Sequence, residues 1–396
     1  MRNSNWACVV VFGVGASWLA VNRGNKIQAV GTADAPIVFT SRENVLGTNV
    51  EDSSGQWGGI VLIGRAPISD CFVAGATPGT ASCQAQTEGA VDPARYGGGA
   101  PDDSSGRMSY VQIRYSGFVL SANQELQSLT LEGVGSGTTL DHIMSYNSSD
   151  DAFELFGGRA NMKYLVAIGA EDDSLDTDSG VKANFQYVIA IQRQGFGDSL
   201  IEADSDDPSF PQVPRQNTRL VNFTFVQRKS NAADNRATML LRGGTDYAMA
   251  NGVVVSPGNP CLRIDGSDTA TPTIDPATEE AGAPLFRSVL MQCGSPRYIG
   301  SGGVSDQTVA LLFGNGANEN NDAFSSTLTG GYVNGSNEAR TPGFDAKAWA
   351  AYFDTTSYVG AVRDASDLWY ARWTCNSAAA DFGSDNSGAC TSLPVI

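Results

Sequence analysis

Carboxylates recur in register along the middle of the chain. Asp150, Asp151 and Glu154 stand 22 residues before Asp172, Asp173 and Asp176, and the residues around them align without a gap. Glu171, Asp178, Asp198, Glu202, Asp204, Asp206 and Asp207 fall near the same flank. If the chain folds so that equivalent positions sit ~4.8 Å apart, like charges repel there by about 1 kcal/mol even in water. Something has to offset that. Hard oxygen donors suit Ca²⁺, with Asp150, Asp151, Asp172, Asp173 and Asp176 as the first candidate ligands. The plainer alternative is that these aspartates are turn residues bonded to backbone N–H groups, and no EF-hand or nonapeptide calcium motif is present. Paired carboxylates also suit glycoside hydrolysis. A uronate lyase would add Ca²⁺ and a basic side chain; Arg159, Lys163, Lys182 and Arg193 lie in the same stretch, where ordinary turn charges are the simpler reading.

The remaining chemistry-bearing residues narrow the choice. His142 is the one histidine, so a Ser–His–Asp triad is disfavoured, no GxSxG is present, and a structural role for this side chain is favoured. Arg242-Gly-Gly244 lacks the lysine and context of a phosphate loop and reads as a turn. Tyr115, Phe118, Tyr146, Phe156 and Tyr247 are of the type that stacks on sugar rings, although most such rings fill interiors. There are seven cysteines, none in a CxxC. Six fall into neighbouring pairs, Cys71/Cys83, Cys261/Cys293 and Cys375/Cys390, which reads as three disulfides in an oxidising compartment, with Cys8 left over. Buried free thiols are the alternative.

The elements that must hold these residues are short strands. Gly59–Gly64, Met108–Tyr115, Leu126–Leu131 and Tyr187–Ile191 are β-branched or apolar runs bounded by Gly, Asn, Asp and Ser. Leu140–Gly158 aligns with Met162–Gly180, setting Ile143 on Leu165 and Gly158 on Gly180. A further unit follows, with Asp173-Ser-Leu175 set on Asp198-Ser-Leu200 at an offset of 25, and longer units begin at Leu220, Met249 and Leu285. A period in the low twenties, without an LxxLxL frame and without a helix per unit, specifies a parallel β-helix rather than a leucine-rich repeat. The expected organisation is an N-terminal extension over 1–8, one right-handed parallel β-helix over 9–302, and a C-terminal loop and helical cap region over 303–396. Thr341–Phe353 reads as a helix by its Pro-containing start and apolar spacing, and the C-terminal region is expected to cover the open end of the solenoid.

The run Gly31-Thr-Ala-Asp-Ala-Pro-Ile-Val-Phe-Thr-Ser41, then Gly55-Gln-Trp-Gly-Gly59, then Gly106–Tyr115, then the Asp-Asp units, resembles a family of exported right-handed β-helix proteins of Gram-negative bacteria. The likeness covers most of residues 10–300 and implies the fold and export; no catalytic residues carry over from it. A looser architectural likeness links the chain to pectate-lyase-type β-helices that hold Ca²⁺ on one face. An export signal is expected upstream of the given sequence, since Trp6–Val21 is too short and too interrupted by Gly to span a membrane.

Composition bounds the function. The 396 residues carry 25 Lys+Arg against 42 Asp+Glu, a formal charge of −17, which disfavours nucleic acid and anionic lipid as partners. Five of the 25 cations are lysines. The expectation is an extracellular or outer-membrane-surface protein, structural, adhesive or glycan-contacting, calcium-stabilised, and compatible with a homo-oligomer or filament. Polysaccharide or extracellular matrix is the expected partner, with no transmembrane span. The residues lean away from an enzyme; the alternative is a polysaccharide lyase or glycoside hydrolase using the acidic ladder over 145–205.

Overall fold

The computed structural model describes residues 9–87, 94–121, 124–205, 212–228 and 237–394. Cys8, the 1–8 extension, Asp206 and Asp207 lie outside the described residues. Long and short strands alternate along the chain. The long ones, including Gly106–Arg114, Thr139–Tyr146, Asn161–Ile168, Asn184–Ile191, Asn217–Val226, Asp246–Ser256 and Leu285–Cys293, pair in chain order as one sheet. The short ones, including Ile60–Ile63, Leu129–Glu132, Phe153–Phe156, Asp176–Asp178, Ile201–Ala203, Met239–Leu241, Leu262–Asp265 and Tyr298–Ser301, form a second sheet in the same order. Both sheets are parallel throughout. A chain that returns to the same sheet once per repeat, always in parallel, is a parallel β-helix.

Each long strand bends at one residue with positive φ. Tyr110, His142, Tyr164, Tyr187, Asn222, Asn251 and Ser288 occupy this position, with φ between 52° and 64°. The bend splits the strand into two legs, so each coil presents three faces around a common interior. Columns of identical register fill that interior: Val111, Ile143, Leu165, Val188, Phe223 and Val289 are stacked coil on coil and at most 1% exposed. Ile143 thus lies directly over Leu165, as the 22-residue match requires. Gly252 is the one member of this column with no side chain, because a Cβ there would meet the Phe223 ring at 2.0 Å. The three cysteine pairs are bridged, Cys71–Cys83, Cys261–Cys293 and Cys375–Cys390. No described helix is long and apolar enough to cross a membrane.

Two expectations need correction. The unit after Asp176 is in register at an offset of 26, not 25: Asp176 pairs with Glu202 and Thr177 with Ala203. The preceding long strand is offset by 23, as Leu165 pairs with Val188, so three more residues enter in the intervening turn. Leu200 and Ile201 are both buried, which is why the similar Asp-Ser-Leu strings mislead by one place. Second, Thr341–Phe353 is not an α-helix; it contains one short 3₁₀ turn, Ala346–Ala348. Gly343 cannot gain a Cβ without meeting the Tyr358 backbone at 2.5 Å, so close packing of the chain on its own later residues overrides the helical spacing. The helix that closes the end of the solenoid is Asp306–Phe313, capped by Ser305 Oγ and ended by Gly314 at φ 67°. Its Val309 and Phe313 are buried, and Phe313 meets the Phe286 and Tyr298 rings.

The chain after that helix first covers the free edge of the last long strand, where Leu290 bridges Asn321 in parallel and the Asn320 amide donates to Phe286 O. It then runs back along the outside of the long sheet, over the column of bend residues. Ser288 Oγ donates to Pro342 O, Asn251 bonds both Phe344 and Thr356, and Asn222 donates to Tyr358 O. Gln186 and Tyr187 bond Asp354, Trp369 packs on Tyr164, and Trp373 packs edge-on against Tyr110 and His142. Arg114, Tyr115 and Asn44 reach the Cys390 carbonyl. A polar or aromatic side chain on the outer side of each bend is therefore a docking point for this strap.

Candidate functional site

The acidic residues gather on the outer face of the short sheet. In each short strand alternate side chains point inward: Leu129 and Leu131, then Phe153 and Leu155, join the core. The residues between them point out. Register places Thr130, Glu154, Asp176 and Glu202 in one outward column. Asp178 follows Phe156 in the neighbouring column, with Asp204 beside it. The turn entering each short strand supplies the rest. Asp151 Oδ1 accepts from the Asp173 N–H at 2.7 Å, and Asp173 Oδ1 from the Ser199 N–H at 2.6 Å. Gln127 donates to Asp150.

Two triads of carboxylates result. One oxygen from each of Asp150, Asp151 and Asp172 lies within 4.8 Å of the others, and the same holds for Asp151, Glu154 and Asp176. Asp173 falls outside both groups and is a turn residue in the sense of the plainer alternative. Asp151 has both characters: backbone bonding engages one oxygen and a carboxylate has two. Burial, reinforced by the neighbouring carboxylates, holds Asp151, Asp173, Asp176 and Asp178 well above the usual carboxylate range. Arg242 reaches the lower end of the face and pairs with Glu202 at 2.6 Å and Asp204 at 3.2 Å. Such a set, oxygen-only and crowded with negative charge, fits a hard divalent cation. Asp150, Asp151, Asp172, Glu154 and Asp176 are the residues that would hold it.

Three of the four basic residues expected beside the carboxylates are elsewhere, and the fourth, Arg193, is engaged by Glu171 next to Asp172. Arg193 donates to Gly169 O and pairs with Glu171 at 2.6 Å. Lys163 pairs with Asp354 of the strap and lies over the Tyr352 ring. Arg159 and Lys182 occupy the turns leaving the short strands and line a separate cleft with Glu279. They are separated from the acidic turns by the length of each short strand, so no Lys or Arg of that set completes a lyase constellation. His142 is stacked between Tyr110 and Tyr164, with Asp141 Oδ1 at 2.7 Å from Nδ1, a structural setting. Tyr115, Tyr146 and Tyr247 are buried and present no ring to a sugar.

Sequence reasoning missed Arg242 as a member of this face, and took Glu202 only as a neighbour of it. An offset of 26 instead of 25 was the available signal, since it sets Glu202 directly on Asp176. The strap contacts had no such signal, because they join residues from 54 to 346 positions apart.

The model of one protein family, the pectate-lyase-like beta helix domain, matches residues 7–331. That span contains every coil, the acidic face and the closing helix, and stops before most of the strap. No curated protein and no solved structure matches the chain. With most of its length matched, and a parallel β-helix folded over that same span, the chain belongs to the family of pectate-lyase-like β-helix domains.

Proposed function

We propose that this is an exported β-helix of the cell surface or extracellular matrix, structural or adhesive, that contacts polysaccharide and is stiffened by Ca²⁺ on its acidic face. The observation that carries the reading is the stack Glu154–Asp176–Glu202 with Asp151 against it. Carboxylates held at coil spacing oppose folding unless a cation joins them, and a joined stack ties successive coils together. Three disulfides support an oxidising, extracellular setting. Arg159 and Lys163 are committed to ion pairs away from the acidic face, and Arg193 is committed to Glu171 beside Asp172, which supports contact over catalysis. A regular, flat-sided solenoid also suits self-association into a homo-oligomer or filament.

The test is retention of the protein on immobilised polysaccharides, uronate-rich and neutral, in millimolar Ca²⁺ and in EGTA. Calcium-dependent retention without cleavage of the glycan is expected. Equal retention on every support in both conditions, or none on any, overturns the reading. A second reading, a polysaccharide lyase or glycoside hydrolase, is favoured by one observation: Arg242 stands on the acidic face against Glu202 and Asp204. Release of unsaturated or reducing ends from the same supports, lost in Arg242→Ala, would establish it.

A further inference from the structure

Cations collect on one flank of a chain whose net charge is −17. Register stacks Asn161, Asn184 and Arg219 on successive coils. Two residues earlier, the same register stacks Arg159, Lys182 and Asn217. The two columns share a face and line a cleft of about 170 Å³ together with Glu279. Behind it, Arg215 is 5% exposed and pairs with Asp246 at 3.0 Å and Glu280 at 2.7 Å.

Glu279 comes from far away along the solenoid. The loop 271–282 precedes the long strand Leu285–Cys293, which is four coils from Asn161 by register. At coil spacing that is ~19 Å. The base of the loop is fixed: Glu280 takes the Arg215 N–H and guanidinium, and Asp246 takes the Ala281 and Gly282 N–H groups. Its tip is different. Glu279 has φ 59°, in the left-handed region that non-glycine residues rarely adopt. Its backbone oxygen accepts from Asn217 and Lys182, and its carboxylate pairs with Arg159 while its side chain stays 52% exposed. Arg159, Lys182 and Arg219 together pull the Glu279 carboxyl below its ordinary range.

We propose that this cleft is a binding site for the carboxylate groups of an acidic glycan, and that Glu279 is a built-in competitor occupying it. The substrate class rests on the polysaccharide-contact reading above; the site is separate from the acidic face. Guanidinium forks match carboxylates in two-point geometry, and the amides of Asn161, Asn184 and Asn217 offer the neutral donors and acceptors that sugar hydroxyls use. Repetition of the columns at coil spacing suits a polymer laid across the coils rather than a single small ion. Lys182 adds a reason for the cleft to want an anion. Burial pushes its ammonium down to about 8, although Asp246, Glu280 and Glu279 all face it and raise it, with Arg159 opposing. A second carboxylate delivered to the cleft would offset the desolvation of that ammonium. Release of Glu279 needs only side-chain rotation, because the loop base is anchored independently.

The test is calorimetric titration in EGTA with a uronate hexasaccharide, with the same oligomer after reduction of its carboxyl groups, and with inorganic sulfate. EGTA removes any calcium-borne contact on the acidic face, so failure here and failure of the calcium reading are distinguishable. The uronate oligomer is expected to bind the wild type and to bind Glu279→Gln about fivefold more tightly, the size of one exposed ion pair. Arg159→Gln and Arg219→Gln, each checked for an unchanged melting temperature, are expected to lose binding; two variants guard against one failing to fold. Equal affinity of wild type and Glu279→Gln overturns the competitor role. Equal binding of the reduced oligomer, or sulfate binding as tightly as the uronate, overturns the glycan-carboxylate site.

Discussion

Asp176 carries the clearest single-residue prediction. Glu154 and Glu202 lie on either side of it at coil spacing, and its own bonded partner is the adjacent Thr177 N–H. Asparagine keeps that acceptor and deletes the charge. Asp176→Asn is therefore expected to raise the melting temperature of the protein in EGTA, by the equivalent of about 1 kcal/mol or more, and to reduce the further rise that millimolar Ca²⁺ gives the wild type. A melting temperature unchanged by Ca²⁺ in the wild type would leave only turn aspartates bonded to N–H groups. Lys182 carries the pH prediction. Its folded-state value of about 8 lies below the ordinary 10.5. Between those values the unfolded chain binds the proton and the folded chain does not, so this residue makes stability rise with pH across that window. Below about pH 8 both states are protonated and the full cost of burying the ammonium applies. Urea midpoints measured from pH 7 to 11 should show a steeper alkaline gain for the wild type than for Lys182→Met.

Elements owe their shape to single positions within the repeat. A positive-φ residue at each bend turns one long run into two legs, and the repeated use of Tyr, His and Asn there serves the strap as well as the bend. Gly252 answers a different demand, since Phe223 of the preceding coil fills its volume. Gly252→Ala must displace a fully buried ring and is expected to cost about 1–3 kcal/mol, read as a shifted denaturant midpoint at unchanged slope. Phe223→Leu combined with Gly252→Ala should recover part of that loss, whereas Phe223→Leu alone should only destabilise. Legibility at this scale was uneven. Strand positions followed from β-branched runs between turn residues, because a parallel strand buried inside a solenoid needs little else. The helix expected over 341–353 failed because the segment is laid across successive coils: Pro342 O accepts from Ser288, Phe344 bonds Asn251, and Ala346 and Phe353 are buried with Val221 and Ala250.

For the whole molecule the strap is the decisive addition. It buries Tyr115, Tyr146, Val166, Ile168, Ile189 and Ile191 on the outside of the long sheet with Trp373 and Tyr370 as their cover. Cys375–Cys390 pins its end beside that cluster, closing a loop with a separation of 15 residues, worth about 3 kcal/mol in the chain-entropy account. Reduction of the disulfides is expected to lower the melting temperature. Cys375→Ser with Cys390→Ser should reproduce about a third of the loss in the same account and should bind hydrophobic dye below the main transition, as the strap end lifts from the sheet. Equal melting temperatures before and after reduction would deny the bridges a role in stability. The parallel β-helix, the interior column from Ile143 to Leu165 and the stacking of Glu154 on Asp176 followed from the sequence by itself, because a solenoid's contacts are between equivalent residues one period apart and a period survives in linear order. The course of the strap and the reach of Glu279 across four coils to Arg159 were decided by tertiary structure alone. These contacts join residues that no periodicity relates, and only the completed stack of coils brings them within reach of each other.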